Sequence, residues 1–229
     1  VLICAGLGAF LGALIASGRI TTQEWLAYLV LVPSLLIHHA AELTTARVLG
    51  DSTAGPDAST SSFGPHIDRL GTLIVPALLI LGGIGYFGWT PPIRVDTTSL
   101  RSGRNARVVV ALSGPIAGVA LMMIAAIGFH LTEGPTPGFS LPMPALAFYL
   151  LGLTNLWLSV LSLLPIAPLD GSIILERFLP SSAWPRYLRM RPWGLPALLG
   201  LVLLDMMLHL GIITQLQTLL GTWWSSLIA

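Results

Sequence analysis

Apolar residues along this chain gather into six runs, at 1–16, 25–49, 70–89, 106–131, 141–164 and 195–220, separated by polar stretches that carry the arginines. Several of these runs approach the roughly 20 apolar residues that a helix needs to cross a bilayer. The pattern predicts an all-α integral membrane protein, a polytopic bundle of five to six transmembrane segments. No repeat of 20–50 residues and no linker divides the chain, so residues 1–229 read as a single membrane domain. It begins at Val1, inside an apolar run, and the first segment is expected to be longer in the full protein.

Whether there are five or six crossings turns on the third run. It contains Gly82, Gly83, Gly85 and Gly88 and is followed by Pro91-Pro92, a composition suited to a segment that dips in and returns. Irregular backbone is tolerated at membrane depth when other helices bury it. With six full crossings, nine of the 11 arginines share one side and Arg47 and Arg69 lie on the other. With a re-entrant third run, only Arg19 is left on the far side. Cytoplasmic loops carry the excess of positive charge, which favours the re-entrant path by one arginine.

Composition agrees with this class. Hydrophobic residues make up 54% of the chain and charged residues 9%, against about one-quarter charged in soluble domains. A net charge of +1 carries no sign of nucleic-acid binding. Cys4 stands alone, which rules out a disulfide framework or a cysteine metal site within the chain.

The stretch His38-His39-Ala40-Ala41-Glu42 lies about midway along the second run. Side chains four apart on a helix share a face, so His38 and Glu42 point the same way, with His39 turned by about 100°. The fifth run ends in Leu163-Leu164-Pro165-Ile166-Ala167-Pro168-Leu169-Asp170-Gly171. Two prolines stop a helix there, and Gly171 allows a sharp turn after Asp170. Ionisable groups at membrane depth are costly unless paired or bound to metal, which marks functional-site candidates. Two readings of His38, His39 and Glu42 stay open: a hydrogen-bonded polar cluster between helices, or a metal site.

The pairing of His38-x-x-x-Glu42 with Pro165-x-x-Pro168-Leu169-Asp170-Gly171 resembles the site-2 proteases, the intramembrane zinc metalloproteases. In that family a His-Glu-x-x-His helix supplies two zinc ligands and a general base, and a Leu-Asp-Gly segment supplies the third ligand. Further matches are Ala46-Arg47-Val48-Leu49-Gly50-Asp51, His66-Ile67-Asp68-x-x-Gly71-Thr72, Phe87-Gly88-Trp89 and Ser113-Gly114-Pro115. The likeness covers roughly residues 31–179, with additional helices expected at 1–16 and 195–220.

Aligned on Gly50-Asp51, the resemblance puts His38 on the first zinc ligand, His39 on the general base and Glu42 on the second histidine. The implied metal ligands are His38, Glu42 and Asp170, a relict or altered zinc site, so the cofactor is none or zinc. An asparagine usual in the family eight residues before the aspartate is here Ser162. The family's β-forming stretch ahead of His-Ile-Asp, an edge on which a substrate can add a strand, is replaced by the small, polar residues 58–65. Base, ligand, substrate contact and substrate strand are all altered. The resemblance therefore implies a catalytically degenerate pseudo-protease, a binding or assembly subunit for other integral membrane proteins. The alternative is an active zinc protease with His39 as base, and a more distant one is a transporter or proton-conducting subunit using Glu42, Asp170, Asp205 and His209. The expected location is a bacterial cytoplasmic (inner) membrane.

Other polar and small residues have simpler expectations. Asp205 and His209, four apart on the last run, are expected to pair with each other or with a neighbouring helix. His66 and Asp68 read as loop-ordering residues, and the arginine clusters as topology signals in contact with anionic lipid headgroups. Trp223-Trp224 read as an interfacial anchor. The spacings from Gly6 to Gly12 and from Gly114 to Gly118 suit close helix approach, such as packing with a partner.

Overall fold

The computed structural model describes residues 18, 21–51, 69–81, 88–90, 93, 104–132 and 141–229. The first run, the loop stretch 52–68 with His66, Asp68 and the substituted strand, and the expected glycines 82, 83 and 85 lie outside the described residues. Among the described residues the chain is helical and contains no strand.

Helix α1 is Thr22–Val48. Its start is set by a capping box: Thr21 Oγ1 accepts from the Glu24 amide at 3.3 Å, and the Thr21 amide donates to Glu24 Oε2 at 2.6 Å. Two of the four orphan donors at a helix start are satisfied in this way. The chain leaves the helix through Gly50, whose φ of 111° is open to glycine but strained for other residues. A short π-helical stretch, Arg69–Ile74, leads into α2, Val75–Leu81. Then come α3, Arg104–Thr132, and α4, Met143–Ser162. After a turn follow α5, Asp170–Phe178, and α6, Trp184–Met190. The last two are α7, Gly194–Leu208, and α8, Ile212–Leu227.

Helices α1, α3 and α4 have the length and apolar composition to cross a membrane, and they pack on one another as the central bundle. Their close approach relies on small residues. A Cβ on Gly128 of α3 would fall 2.4 Å from the Phe148 ring of α4, and one on Gly118 would fall 2.4 Å from Ser159 Oγ. Gly118, from the expected Gly114–Gly118 spacing, thus serves packing between the chain's own helices, and the Gly6–Gly12 spacing lies outside the described residues. The opposite face of α3 exposes Ile116, Val119, Met123, Ile127 and Leu131, a stripe at helical spacing that lipid would cover.

The described ends of the third run meet. The Trp89 amide donates to Gly71 O at 3.1 Å, and Thr72 Oγ1 donates to Trp89 O at 3.1 Å. A straight helix from residue 70 to 89 would hold its ends about 28 Å apart. The indole of Trp89 lies directly over Gly71, where a Cβ would meet it at 2.4 Å.

The sixth run is not one helix. His209 and Gly211 both have left-handed backbones, with φ of 51° and 74°, and they break the helix between α7 and α8. Asp205 does not pair with His209 but caps the next helix, accepting from the Ile212 amide at 2.8 Å and the Ile213 amide at 3.3 Å. His209 is exposed in the turn. Trp224 likewise departs from the expected anchor. It is 0% exposed, seated over Gly152, with its indole N–H donating to Tyr149 O at 3.1 Å. Burying an indole supplies a large apolar contact, provided its N–H finds an acceptor.

Candidate functional site

Between α1, α3, α4 and α5 lies a cavity of about 170 Å³, lined on one side by His38, Glu42 and Asp170. One ligand-type atom from each of these three lies within 4.8 Å of the others. The His38 Nε2–Asp170 Oδ2 distance is 3.0 Å, and His38 Nε2 is 3.7 Å from Glu42 Oε1. The helical four-residue spacing aligns His38 with Glu42, as the sequence predicts. Asp170 arrives from 132 residues away as the first residue of α5, held there by the Pro165–Pro168 turn. At a helix start its negative charge also meets the positive end of the helix dipole.

Two glycines make room for this meeting. A Cβ on Gly114 would sit 2.3 Å from His38 Nε2, so the imidazole fits only because α3 has no side chain there. A Cβ on Gly171 would sit 2.1 Å from Leu163 O, so the start of α5 folds tightly against the end of α4. Ser113-Gly114-Pro115 and Leu169-Asp170-Gly171 are therefore two sides of one packing arrangement.

His39 stands apart. It is 5% exposed, with Nδ1 3.9 Å from Glu42 Oε2, and it is not among the residues that line the cavity. Ser162 does line it, with its hydroxyl donating to Ser159 O at 3.1 Å. The donors suit a divalent ion: bonds of about 2 Å to one metal place ligand atoms roughly 3–3.5 Å apart. His38, Glu42 and Asp170 would hold such an ion, which would act as a Lewis acid toward a bound water or carbonyl. Two carboxylates make a more anionic donor set than the family's two histidines and one aspartate. That charge lowers the acidity of a coordinated water.

A second polar cluster borders the same cavity, and sequence reasoning did not anticipate it. Glu176 of α5 is buried, with Arg107 Nη1 3.5 Å from one carboxylate oxygen and Arg191 Nε 3.8 Å from the other. Tyr187 OH donates to Glu176 Oε1 at 3.0 Å. Burial, and then this hydrogen bond, raise the Tyr187 phenol above its usual range, which keeps it a donor. Arg107 and Arg191 line the cavity. Two of the expected topology arginines thus serve a buried carboxylate. The signal was present: Glu176 is the only acidic residue between Asp170 and Asp205, in a stretch with four arginines.

The chain is 31% identical over 179 residues to the Bacillus subtilis (strain 168) protein named "Putative zinc metalloprotease YwhC", across 73% of this chain and 76% of that one. No family model and no solved structure matches the chain.

Proposed function

Since the chain belongs to the site-2 protease-like family of membrane metalloproteases, we propose that it is a catalytically degenerate member, which uses the family's fold to bind or assemble other integral membrane proteins. The observation that carries this reading is the position of His39. Hydrolysis at a metal needs a base within hydrogen-bond reach of the attacking water, about 3 Å. His39, at the family's base position, is not among the residues lining the cavity, and its Nδ1 lies 3.9 Å from Glu42 Oε2. A carboxylate also stands at one histidine ligand position, and Ser162 at the asparagine position.

A second reading has support of its own. His38, Glu42 and Asp170 lie close enough to share a metal, so an active zinc protease with these three ligands is the alternative. The two readings separate on partners and cleavage. Under the first, the protein extracted from a bacterial cytoplasmic membrane in mild detergent migrates in a complex with other membrane proteins. His38→Ala and Asp170→Ala leave that complex intact. Migration as an isolated chain, or loss of a membrane protein's intact form only when the unaltered protein is present, would count against it.

A further inference from the structure

The cavity carries carboxyl groups in one part of its lining and guanidinium groups in another. Glu42 and Asp170 stand at one end, beside His38. Arg107 and Arg191 stand at the other, and the single buried carboxylate of Glu176 does not neutralise two guanidinium groups. Each guanidinium carries five donors, and Tyr187 takes up part of the capacity of Glu176. Two helices show that the backbone positions carrying the two ends are offset along the bundle. On α3, Arg107 lies seven residues, on the same face and about 10 Å along the axis, from Gly114, against which His38 packs. On the oppositely directed α5, Glu176 lies six residues, about 9 Å, from Asp170.

We propose that this cavity binds the zwitterionic headgroup of an aminophospholipid, with its ammonium at Glu42 and Asp170 and its phosphate at Arg107 and Arg191. A ligand that meets both ends must therefore carry its cation and its anion on separate atoms. An ammonium joined to a phosphate ester through two carbons does so. The bilayer is the source, because Arg191 belongs to a stretch built for its surface. Leu188, Met190 and Trp193 are exposed there, Trp193 by 70%. Arg186 and Arg189 are exposed beside them and have no acidic partner among the described residues. Exposed tryptophan and arginine together suit the headgroup region. The inference does not depend on whether peptide bonds are cut.

The test is native mass spectrometry of the full chain in neutral detergent with EDTA, titrated with short-chain phosphatidylethanolamine, phosphatidylcholine and phosphatidylglycerol. Phosphatidylcholine has no ammonium N–H to donate, and phosphatidylglycerol has no cation. One charge-assisted hydrogen bond corresponds to about tenfold or more in affinity, so phosphatidylethanolamine should bind tighter than either by that factor, one per chain. Arg191→Gln should weaken phosphatidylethanolamine and phosphatidylglycerol alike. Asp170→Asn should remove the preference between them. Equal binding of phosphatidylcholine and phosphatidylethanolamine by the unaltered protein, or unchanged binding in the Arg191→Gln variant, overturns the proposal. Free phosphoethanolamine binding as tightly as the lipid overturns the bilayer as its source.

Discussion

The 3.0 Å contact between His38 Nε2 and Asp170 Oδ2 joins the middle of α1 to the first residue of α5. It is the point at which two sequence fragments, each weak alone, become one site. Nothing in the periodicity of either fragment demands the contact. It exists because Gly114 leaves space for the imidazole, and because Gly171 lets α5 start hard against the end of α4.

Gly114→Val should therefore displace His38 from Asp170. Forcing a side chain into a packed site costs about 1–3 kcal/mol, read as a lower thermal midpoint in detergent. Gly200→Ala is the matching control, since a Cβ there meets nothing within 4 Å. It should leave stability unchanged or raise it by about 0.5–1 kcal/mol, the helix preference of alanine over glycine. Equal losses in the two variants would remove the packing argument.

The Arg107–Glu176–Arg191 cluster makes a graded prediction. Glu176→Ala leaves two arginines without their shared acceptor at the cavity wall and should destabilise the protein by about 1–3 kcal/mol. The lower part of that range fits the partial exposure of Arg107 and Arg191. Tyr187→Phe removes one hydrogen bond and should cost about 1 kcal/mol. Denaturation of both variants in the same detergent checks the order. A Tyr187→Phe loss larger than that of Glu176→Ala would show that the tyrosine matters through packing.

The meeting of Gly71 and Trp89 predicts the path of the third run. In a Cys4→Ser background, single cysteines at Asp57 and Ser99, which flank that run, should react with an impermeant thiol reagent from the same side of the membrane. Reaction from opposite sides would restore six full crossings.

Asp205→Ala should loosen the turn between α7 and α8. The carboxylate caps the first amides of α8, and losing such a cap costs about 1 kcal/mol. Protease sensitivity at residues 209–211 should rise in this variant. Its absence would assign the turn to His209 and Gly211 alone.

Much of the bundle could be read from hydrophobic run length. The runs at 25–49, 106–131 and 141–164 correspond closely to α1, α3 and α4, because a lipid-crossing helix must be both apolar and long. The His38–Glu42 face followed from helical geometry, and the partnership with Asp170 from family resemblance. The break at 209–211 was missed because Gly211 sits in an apolar run and His209 adopts a left-handed backbone that hydropathy does not record. Trp224 was misread because an interfacial and a buried tryptophan look alike in sequence, and only the notch at Gly152 distinguishes them. Glu176 was passed over because its value depends on Arg107 and Arg191, two residues brought to it by tertiary folding.

Under the proposed function, this protein keeps the fold and part of the donor set of its family without the hydrolysis. Metal analysis of the purified protein, paired with a cleavage assay on co-expressed single-span membrane proteins, tests it most directly. The expected result is zinc well below one ion per chain and no cleavage product, with His38→Ala leaving the cellular function intact. One zinc per chain, together with cleavage that Asp170→Ala abolishes, would contradict the account and make the protein an active protease.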